Sequence, residues 1–577
     1  MQQIKQTIAA SIVDAVQKIN SEASLSADEV KSLLEYPPDP NMGDLAFPCF
    51  RLSKILRRSP VQIAEALAGQ LSGGPIGSVE AVNGYLNIKL SDDYLTDTVL
   101  PEILAKKETY GSQTFGKGKK VVLDYSSPNV AKPFHIGHLG TTVIGHSLRK
   151  LHEFAGYDCF GINYLGDWGT QFGKLIVAYR LWGKKEEVEK TGVDALVALY
   201  VKINNEIKGD PEKGIPENKE LADAARAEFH KLETGDEENL ALWKWFVSIS
   251  LAEYEKTYKQ LGITFDSYLG ESFYTDKMPA QVQKLRDMGL LKIDDGASIV
   301  DLSEYNMPPC LILKRDGSTL YPTRDIAAAV YRKENYHFDK AIYVTSAQQC
   351  LHFAQWFKVV ELMGYPWYNE LVHVPYGTVS LNGEKLATRT GNVVLLKDLF
   401  ALAVEKVKGV VAEKNPNLEN KDEIAEKVGV GAVVFYYLSN NRMKDINFVL
   451  DEALNFDGNT GPYVQYTYAR TCSVLGKAGK VPDAAGKITT EEEAMLLKTL
   501  CRFGEKVVAA IEDYEPSVVT RFILDVASAF NRFYHNCPIL SAEDEGTRAL
   551  RLKLTEATKI VLGNAFDLIC LAKTEKV

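Results

Sequence analysis

The stretch that most limits what this chain can fold into is residues 121–145, VVLDYSSPNVAKPFHIGHLGTTVIG. Val121-Val122-Leu123 is a short apolar run of the kind carried by a strand buried in a parallel sheet. Ser126, Ser127, Pro128 and Asn129 make a turn. A helical pattern then starts at His135-Ile136-Gly137-His138 and continues through Leu139, Val143, Leu148 and Leu151. Strand, polar loop and helix N-terminus, in that order, form a phosphate site, because free backbone N–H groups and the helix dipole both favour negative charge. His135 and His138, one turn apart, add neutral or cationic donors suited to charge developing at phosphorus. Gly137 leaves room for a base or ribose against the backbone. The plain alternative is two ordinary helix-start histidines, or half a metal site.

A second apolar run, 159–164, ends at Gly166-Asp167-Trp168-Gly169 and completes a βαβ unit. The expected fold class is therefore α/β with a doubly wound parallel sheet, whose ligands bind beyond the carboxyl ends of the strands. Further on, 298–301, 310–314 and 340–344 are strand-like, and 351–363 is helical. Thr323 is the expected N-cap of a helix over 324–334. Tyr321 and Asp325 are four apart and share a face. A carboxylate beside a phenol makes a cage for a guanidinium, unless Asp325 merely caps the helix.

Between these α/β parts, 172–262 is charged and helical, is interrupted at Gly209-Asp210-Pro211, and reads as an insertion with solvated carboxylates. Ahead of the core, 1–116 forms an α+β module. It has an amphipathic helix marked by Ile4, Ile8 and Ile12, helices over 45–58 and 60–71, and strands 78–82 and 85–90 joined by Asn83-Gly84. Arg51, Lys54, Arg57 and Arg58 lie at helical spacings, as a phosphate-binding face or a solvated one. A flexible basic connector spans 116–120. From 399 to 577 almost only helical patterns appear (422–439, 451–477 broken at 459–462, 491–511, 516–536, 543–573), so an antiparallel bundle is expected. Tyr463, Tyr466, Tyr468, Arg470, Asn531, Arg532, Phe533 and Tyr534 mix aromatics with arginines, as reading unstacked bases requires, although core packing explains many such rings.

A length of 577 residues calls for about three or four domains. The net charge of −10 argues against a non-specific nucleic-acid coat but leaves local basic patches open. Eight scattered cysteines without a C-x-x-C pair read as free thiols, so no zinc site is expected. The start lacks a signal-peptide pattern and no apolar run is long enough to span a bilayer, so the cytoplasm is the expected location.

The letters SSPN, AKPFHIGHLGTT and GDWGTQFGKL resemble the signature of class I aminoacyl-tRNA synthetases, and more narrowly of arginyl-tRNA synthetases. GDLAFPCFRLSKILRRSP and VNGYLNIKL resemble that family's N-terminal domain, which touches the outer corner of tRNA. GPYVQYTYARTCSVL and FNRFYHNCPIL resemble its anticodon-binding bundle. The resemblance implies a tRNA-contacting domain over 1–116, a Rossmann-like catalytic domain over 117–398 with the connective peptide at 172–262, and an anticodon-binding domain over 399–577. It implies activation of L-arginine by ATP, brought in with Mg²⁺, then transfer to the terminal ribose of tRNA(Arg), commonly with tRNA needed for the first step. Arginine would be held by Ser127, Asn129, His138, Tyr321, Asp325 and Gln349, with Asp124 a weaker candidate; ATP would be held by His135, Gly137, His138, Lys132 and Lys385. Catalytic charge would come from His135, His138, Lys132, Lys385 and Arg389.

Two departures stand out. The second class I signature, usually K-M-S-K-S, is degenerate at 382–392: Lys385 fits the first lysine, Thr388 replaces the second, and Arg389 follows. Read alone, this is a mobile surface loop. Many relatives with this loss carry a lysine just ahead of HIGH, and Lys132 stands there, so it is expected to supply the missing charge. Gly140-Thr141 occupies the place where many relatives have Arg-Ser. The implied partners are tRNA(Arg), L-arginine and ATP, with no membrane; a monomer is expected. A class I synthetase for another amino acid and a non-catalytic tRNA-binding paralogue remain as alternative readings.

Overall fold

A computed structural model of the chain describes residues 1–209, 216–381, 383–385 and 394–576. Near the N-terminus, strands β1 (Leu45–Pro48), β2 (Ile76–Val82) and β3 (Tyr85–Leu90) form an antiparallel sheet in the order β1-β3-β2. Asn83 and Gly84 both adopt left-handed φ, 51° and 85°, as the tight turn between β2 and β3 demands. Helices Gln2–Ile19 and Pro60–Ala68 bury Ile4, Ile8, Ile12 and Ile63 in the same core. The helix expected over 45–58 is corrected: its first part is β1, paired with β3 from Leu45↔Ile88 to Pro48↔Tyr85, and only Leu52–Leu56 is α-helical. Pairing buries Leu45 and Phe47, and this tertiary gain outweighs local periodicity. Arg51, Lys54, Arg57 and Arg58 are all exposed.

The basic connector is pinned rather than flexible. Gly116 N–H donates to Ala155 O at 3.0 Å, and a Cβ on Gly116 would stand 2.2 Å from the Tyr157 ring.

Strands β4 (Lys120–Asp124) and β5 (Asp158–Ile162) flank the helix Gly137–Phe154, whose Leu139, Val143, Leu148 and Leu151 are fully buried. A small antiparallel sheet follows: β6 (Leu291–Asp294), β7 (Ala297–Val300) and β8 (Cys310–Leu313). The strand-like segments near 298 and 310 belong there, outside the parallel sheet. Strands β9 (Lys340–Ser346) and β10 (Leu371–Tyr376) complete the parallel sheet in the order β10-β9-β4-β5. From β4 the chain runs to β5 on one side and later returns to β9 on the other. The order therefore reverses between β4 and β9, and the crevice for ligands opens beyond their carboxyl ends.

The insertion is helical, from Thr170–Trp182 to Glu237–Leu261; Asp210 and Pro211 of the expected turn lie outside the described residues. The C-terminal part carries helices Leu396–Lys414, Lys421–Leu438, Gly461–Ala478, Glu491–Leu500, Phe503–Glu512, Ser517–Asn536 and Glu545–Leu568. The helix expected over 491–511 is two helices, with Cys501-Arg502 between them. Thr460 caps Gly461–Ala478, with Pro462 in its first turn, where sequence placed the break. β11 (Val379–Leu381) pairs with β12 (Glu384–Lys385) and, in parallel, with β13 (Ile446–Phe448), a strand that the helical patterns concealed. One hydrophobic cluster runs from Ile8 through Leu139 to Phe530, so the three parts share a core. Among the described residues no helix is long and apolar enough to cross a membrane.

Candidate active site

Beyond the ends of β4 and β9 lies a cavity of about 550 Å³ lined by Asp124, Ser127, Asn129, His138, Tyr321, Asp325 and Gln349, among others. These seven come from four separate stretches of sequence, and the sheet reversal brings them together. The loop after β4 is held in strained backbone, with φ of 74° at Ser126, 38° at Ser127 and 56° at Ala131. Buried hydrogen bonds hold it there. Ser126 N–H donates to Thr141 Oγ1 at 2.9 Å, and Thr141 Oγ1 donates to Val344 O at 2.7 Å, tying the loop to β9. Tyr254 Oη donates to the carbonyls of Asn129 and Lys132, each at 2.8 Å. Asn129 bridges to Gly166, where a Cβ would stand 2.1 Å from Asn129 Oδ1; only glycine lets the GDWG turn approach.

His135 and His138 face each other with ring centroids 4.0 Å apart. The His138 Nδ1 accepts from His135 N–H at 3.2 Å, and the His135 Nδ1 accepts from Gly137 N–H at 3.0 Å. Each neutral ring therefore carries its hydrogen on Nε2. Burial, with neighbouring charge from Lys132, pushes His135 down to about 4; burial, then His135, pushes His138 down to about 3. Both are neutral donors at pH 7, so the cationic alternative is set aside. At Gly137 a Cβ would meet His135 Cε1 at 2.8 Å, so the space there is taken by the first histidine's own ring. Burial also lowers the Lys132 pKa, against the pull of Glu271.

Lys385 has its backbone in β12, but its side chain and all of Arg389 lie outside the described residues. Beyond that gap, Leu395 pairs with His135, and Leu396 N–H donates to Phe134 O at 2.9 Å.

The helix Tyr321–Tyr336 presents Tyr321, Asp325, Ala328 and Arg332 to the cavity along one stripe. Thr323 is not its N-cap: Leu320 is. Pro322, lacking an N–H, suits the first turn of a helix that already starts at Tyr321, and Thr323 lies inside it and donates from Oγ1 to Ile312 O at 2.6 Å. Asp325 does not cap the helix either; its Oδ2 lies 2.6 Å from His352 Nε2. Tyr321 is 67% exposed, at the mouth.

Three residues at this end escaped sequence reasoning: Glu271, Arg332 and His352. Arg332 is 1% exposed, pairs with Asp124 Oδ2 at 2.8 Å, and has the Tyr164 ring 5.0 Å away. Asp124 Oδ1 accepts from Ser127 Oγ at 2.9 Å, so both of its oxygens are engaged. Glu271 pairs with Arg324 at 2.8 Å, and burial, opposed by that arginine, pushes its carboxyl up to about 7. Glu271 is placed by Asp167, whose carboxylate accepts from Ser272 N–H and Oγ at 2.8 and 2.7 Å. Arg332 follows Asp325 by seven, two turns along the same face, a signal the sequence did contain. Glu271 and His352 carried none.

In the C-terminal bundle Phe533 and Tyr468 are buried in the core, whereas Arg470 lies 5.0 Å from the ring of Tyr466 and 4.8 Å from that of Tyr534, beside a cleft of about 890 Å³. Asn531 Nδ2 donates to Tyr463 Oη at 3.0 Å and Thr467 Oγ1 at 3.1 Å, and Arg532 is exposed.

Residues 99–450 match the family model for the catalytic domain of class I tRNA synthetases (R), 464–577 match a DALR anticodon binding domain, and 2–90 match an arginyl tRNA synthetase N terminal domain. An arginine–tRNA ligase of Alkaliphilus metalliredigens is 50% identical over 553 residues, covering 95% of this chain and 96% of that protein. One from Clostridioides difficile is 50% identical over 557 residues, covering 96% and 97%. A solved arginyl-tRNA synthetase of Thermus thermophilus superposes with a TM-score of 0.83 at 25% identity, covering 99% of this chain and 100% of that one.

Proposed function

The chain belongs to the arginyl-tRNA synthetase family, and from that premise we propose how its residues divide the work of an arginine–tRNA ligase. The enzyme uses ATP to activate L-arginine to arginyl-adenylate, releasing pyrophosphate, and transfers the arginyl group to the terminal ribose of tRNA(Arg) for protein synthesis. In our reading the substrate's guanidinium enters the Asp325 end of the cavity, flanked by Tyr321, while Ser127, Asn129, His138 and Gln349 hold its amino-acid end. Asp124 acts there through Arg332, since its own oxygens are occupied.

The observation that carries this assignment is a charge inventory. Three carboxylates, Asp124, Glu271 and Asp325, face two fixed guanidiniums: Arg332 on Asp124 and Arg324 on Glu271. Among the described residues no arginine or lysine is fixed on Asp325, and a guanidinium with two parallel N–H groups matches that carboxylate in charge and shape.

The arginine carboxylate attacks the ATP α-phosphate in line, and pyrophosphate leaves. The 3′-terminal ribose hydroxyl then attacks the adenylate carbonyl, releasing AMP. Nothing on the protein becomes covalently modified, so catalysis is positioning plus charge stabilisation. His135 and His138 donate from Nε2 toward the phosphate and ribose. Lys132, with Lys385 and Arg389, offsets phosphate charge. Mg²⁺ arrives as part of the ATP complex, held by phosphates and water. Residues 1–116 and 399–577 would be the tRNA-contacting and anticodon-binding domains around a catalytic domain of 117–398 with its insertion at 172–262. A cytoplasmic monomer fits this role.

ATP–pyrophosphate exchange with tRNA present, run with all twenty amino acids, tests the assignment. Arginine alone should support exchange. Asp325→Asn should lower kcat/KM for arginine about 30-fold or more, the cost of losing a charge-assisted pair. Unchanged arginine use in that variant would overturn the site.

A further inference from the structure

Beside Asp325, at the guanidinium end of the cavity, stands an imidazole. His352, on the helix Cys350–Leu362, places Nε2 2.6 Å from Asp325 Oδ2, and both side chains are about three-quarters buried, at 26% and 22% exposure. We propose that His352 is a positioning residue for arginine recognition: as a neutral imidazole it holds Asp325 Oδ2 and leaves Oδ1 to the substrate, and as an imidazolium it competes with the substrate for the same carboxylate. This rests on the arginine reading of the cavity.

Among the described residues, Asp325 is the carboxylate, of Asp124, Glu271 and Asp325, that no arginine pairs with. With His352 neutral, Asp325 faces no paired cationic side chain among the described residues, and a substrate guanidinium can take that place; a protonated His352 would take it first. The other groups facing this pair do not replace it. His373 on β10 is pushed down to about 4 by burial, then by Arg442 and His352, and its Nε2 lies 2.8 Å from Thr345 Oγ1. Arg324 and Arg332 are already paired, Cys310 on β8 is pushed up to about 12, and Tyr164 and Tyr343 are raised by burial. Glu271, pushed up to about 7, also loses charge toward acid pH and must be separated experimentally.

Full-length wild-type, His352→Gln, His352→Ala and Asp325→Asn enzymes would be compared by ATP–pyrophosphate exchange with tRNA from pH 5.5 to 8. Glutamine keeps a neutral donor. His352→Gln is therefore expected to keep the neutral-pH arginine KM within about threefold and to lose most of the acid-side rise in KM expected of wild type. His352→Ala should raise arginine KM about tenfold, the scale of one lost hydrogen bond, with kcat and the ATP KM little changed. Wild-type KM values and pH profiles in both His352 variants would overturn the proposal and leave Glu271 as the titrating group. Equal losses in kcat, ATP KM and arginine KM would overturn it in favour of a structural role. If Asp325→Asn abolishes arginine use while the His352 variants behave as wild type, only this inference falls. If Asp325→Asn changes nothing, the arginine reading falls with it.

Discussion

A histidine whose Nδ1 accepts a backbone N–H must keep its remaining proton on Nε2, and both histidines of this site are held that way. With folded values near 4 and 3, neither is available as a cation at neutral pH. They can donate hydrogen bonds to a phosphate but cannot neutralise it. The positive charge must come from elsewhere, and Lys132 is the described lysine whose charge is felt at both rings. Lys132→Ala is therefore expected to lower the rate of arginine activation about a hundredfold or more, the usual cost of a lost transition-state donor. Lys132→Arg should retain a larger share. Near wild-type exchange in the alanine variant would refute the role. At this scale the sequence was informative where one element supplied the pattern. Tyr321 and Asp325 share a helix face, and HIGH sits on one turn. It was silent where distant elements converge. Glu271 matters because Asp167, at the far end of the insertion, fixes it beside Arg324, and His352 matters because its helix packs across from Asp325.

The helix Gly137–Phe154 is the element on which the others converge, and at Gly140 its first turn has no room for a side chain. A Cβ there would stand 2.2 Å from Tyr437 Oη, on the helix Lys421–Leu438, and 3.1 Å from Tyr376 Cε2, at the end of β10. Glycine at 140 thus makes room for an aromatic contact between the bundle and the catalytic helix, and Thr141 ties the same turn to β9. Gly140→Ala pits a helix-propensity gain of about 1 kcal/mol against overpacking of about 1–3 kcal/mol. Tyr437 is almost fully buried and has little space to yield, so a net loss of thermal stability is expected. Tyr437→Phe in the same chain should recover part of that loss, because it removes the nearest atom. Equal Tm changes for Gly140→Ala in the two backgrounds would count against the contact. Elements with strong internal periodicity were legible: this helix, the Asn83-Gly84 hairpin and the break ahead of Gly461. β1 and β13 were not, because short strands of four and three residues gain their stability from partners far along the chain.

Across the whole molecule, burial of neutral histidines sets the response to acid. His135, His146 and His152, with His138, lie on or beside one helix, and His373 lies on β10; burial pushes all five down to about 3–4. In the unfolded chain a histidine titrates near 6.5. Between about pH 6.5 and 4 the unfolded state therefore binds protons that the folded state refuses. The stability these groups contribute is complete above about pH 6.5 and is lost as pH falls toward their folded values, at up to about 1.4 kcal/mol per group and pH unit. Glu271 works in the opposite sense. Raised to about 7, it takes up a proton in the folded state before it does so unfolded, and its contribution grows as pH falls from about 7. The five histidines outnumber Glu271 and the other carboxyls that burial raises, Asp124, Asp167 and Asp525, so the protein should lose several degrees of Tm between pH 7 and 5.5. Because the three parts share a core, the loss should be seen in the transition of the whole chain. Scanning calorimetry at the two pH values separates the outcomes. A transition that holds or rises on acidification would mean that these rings are not held neutral in the folded protein, and would remove the basis for treating His135 and His138 as uncharged donors.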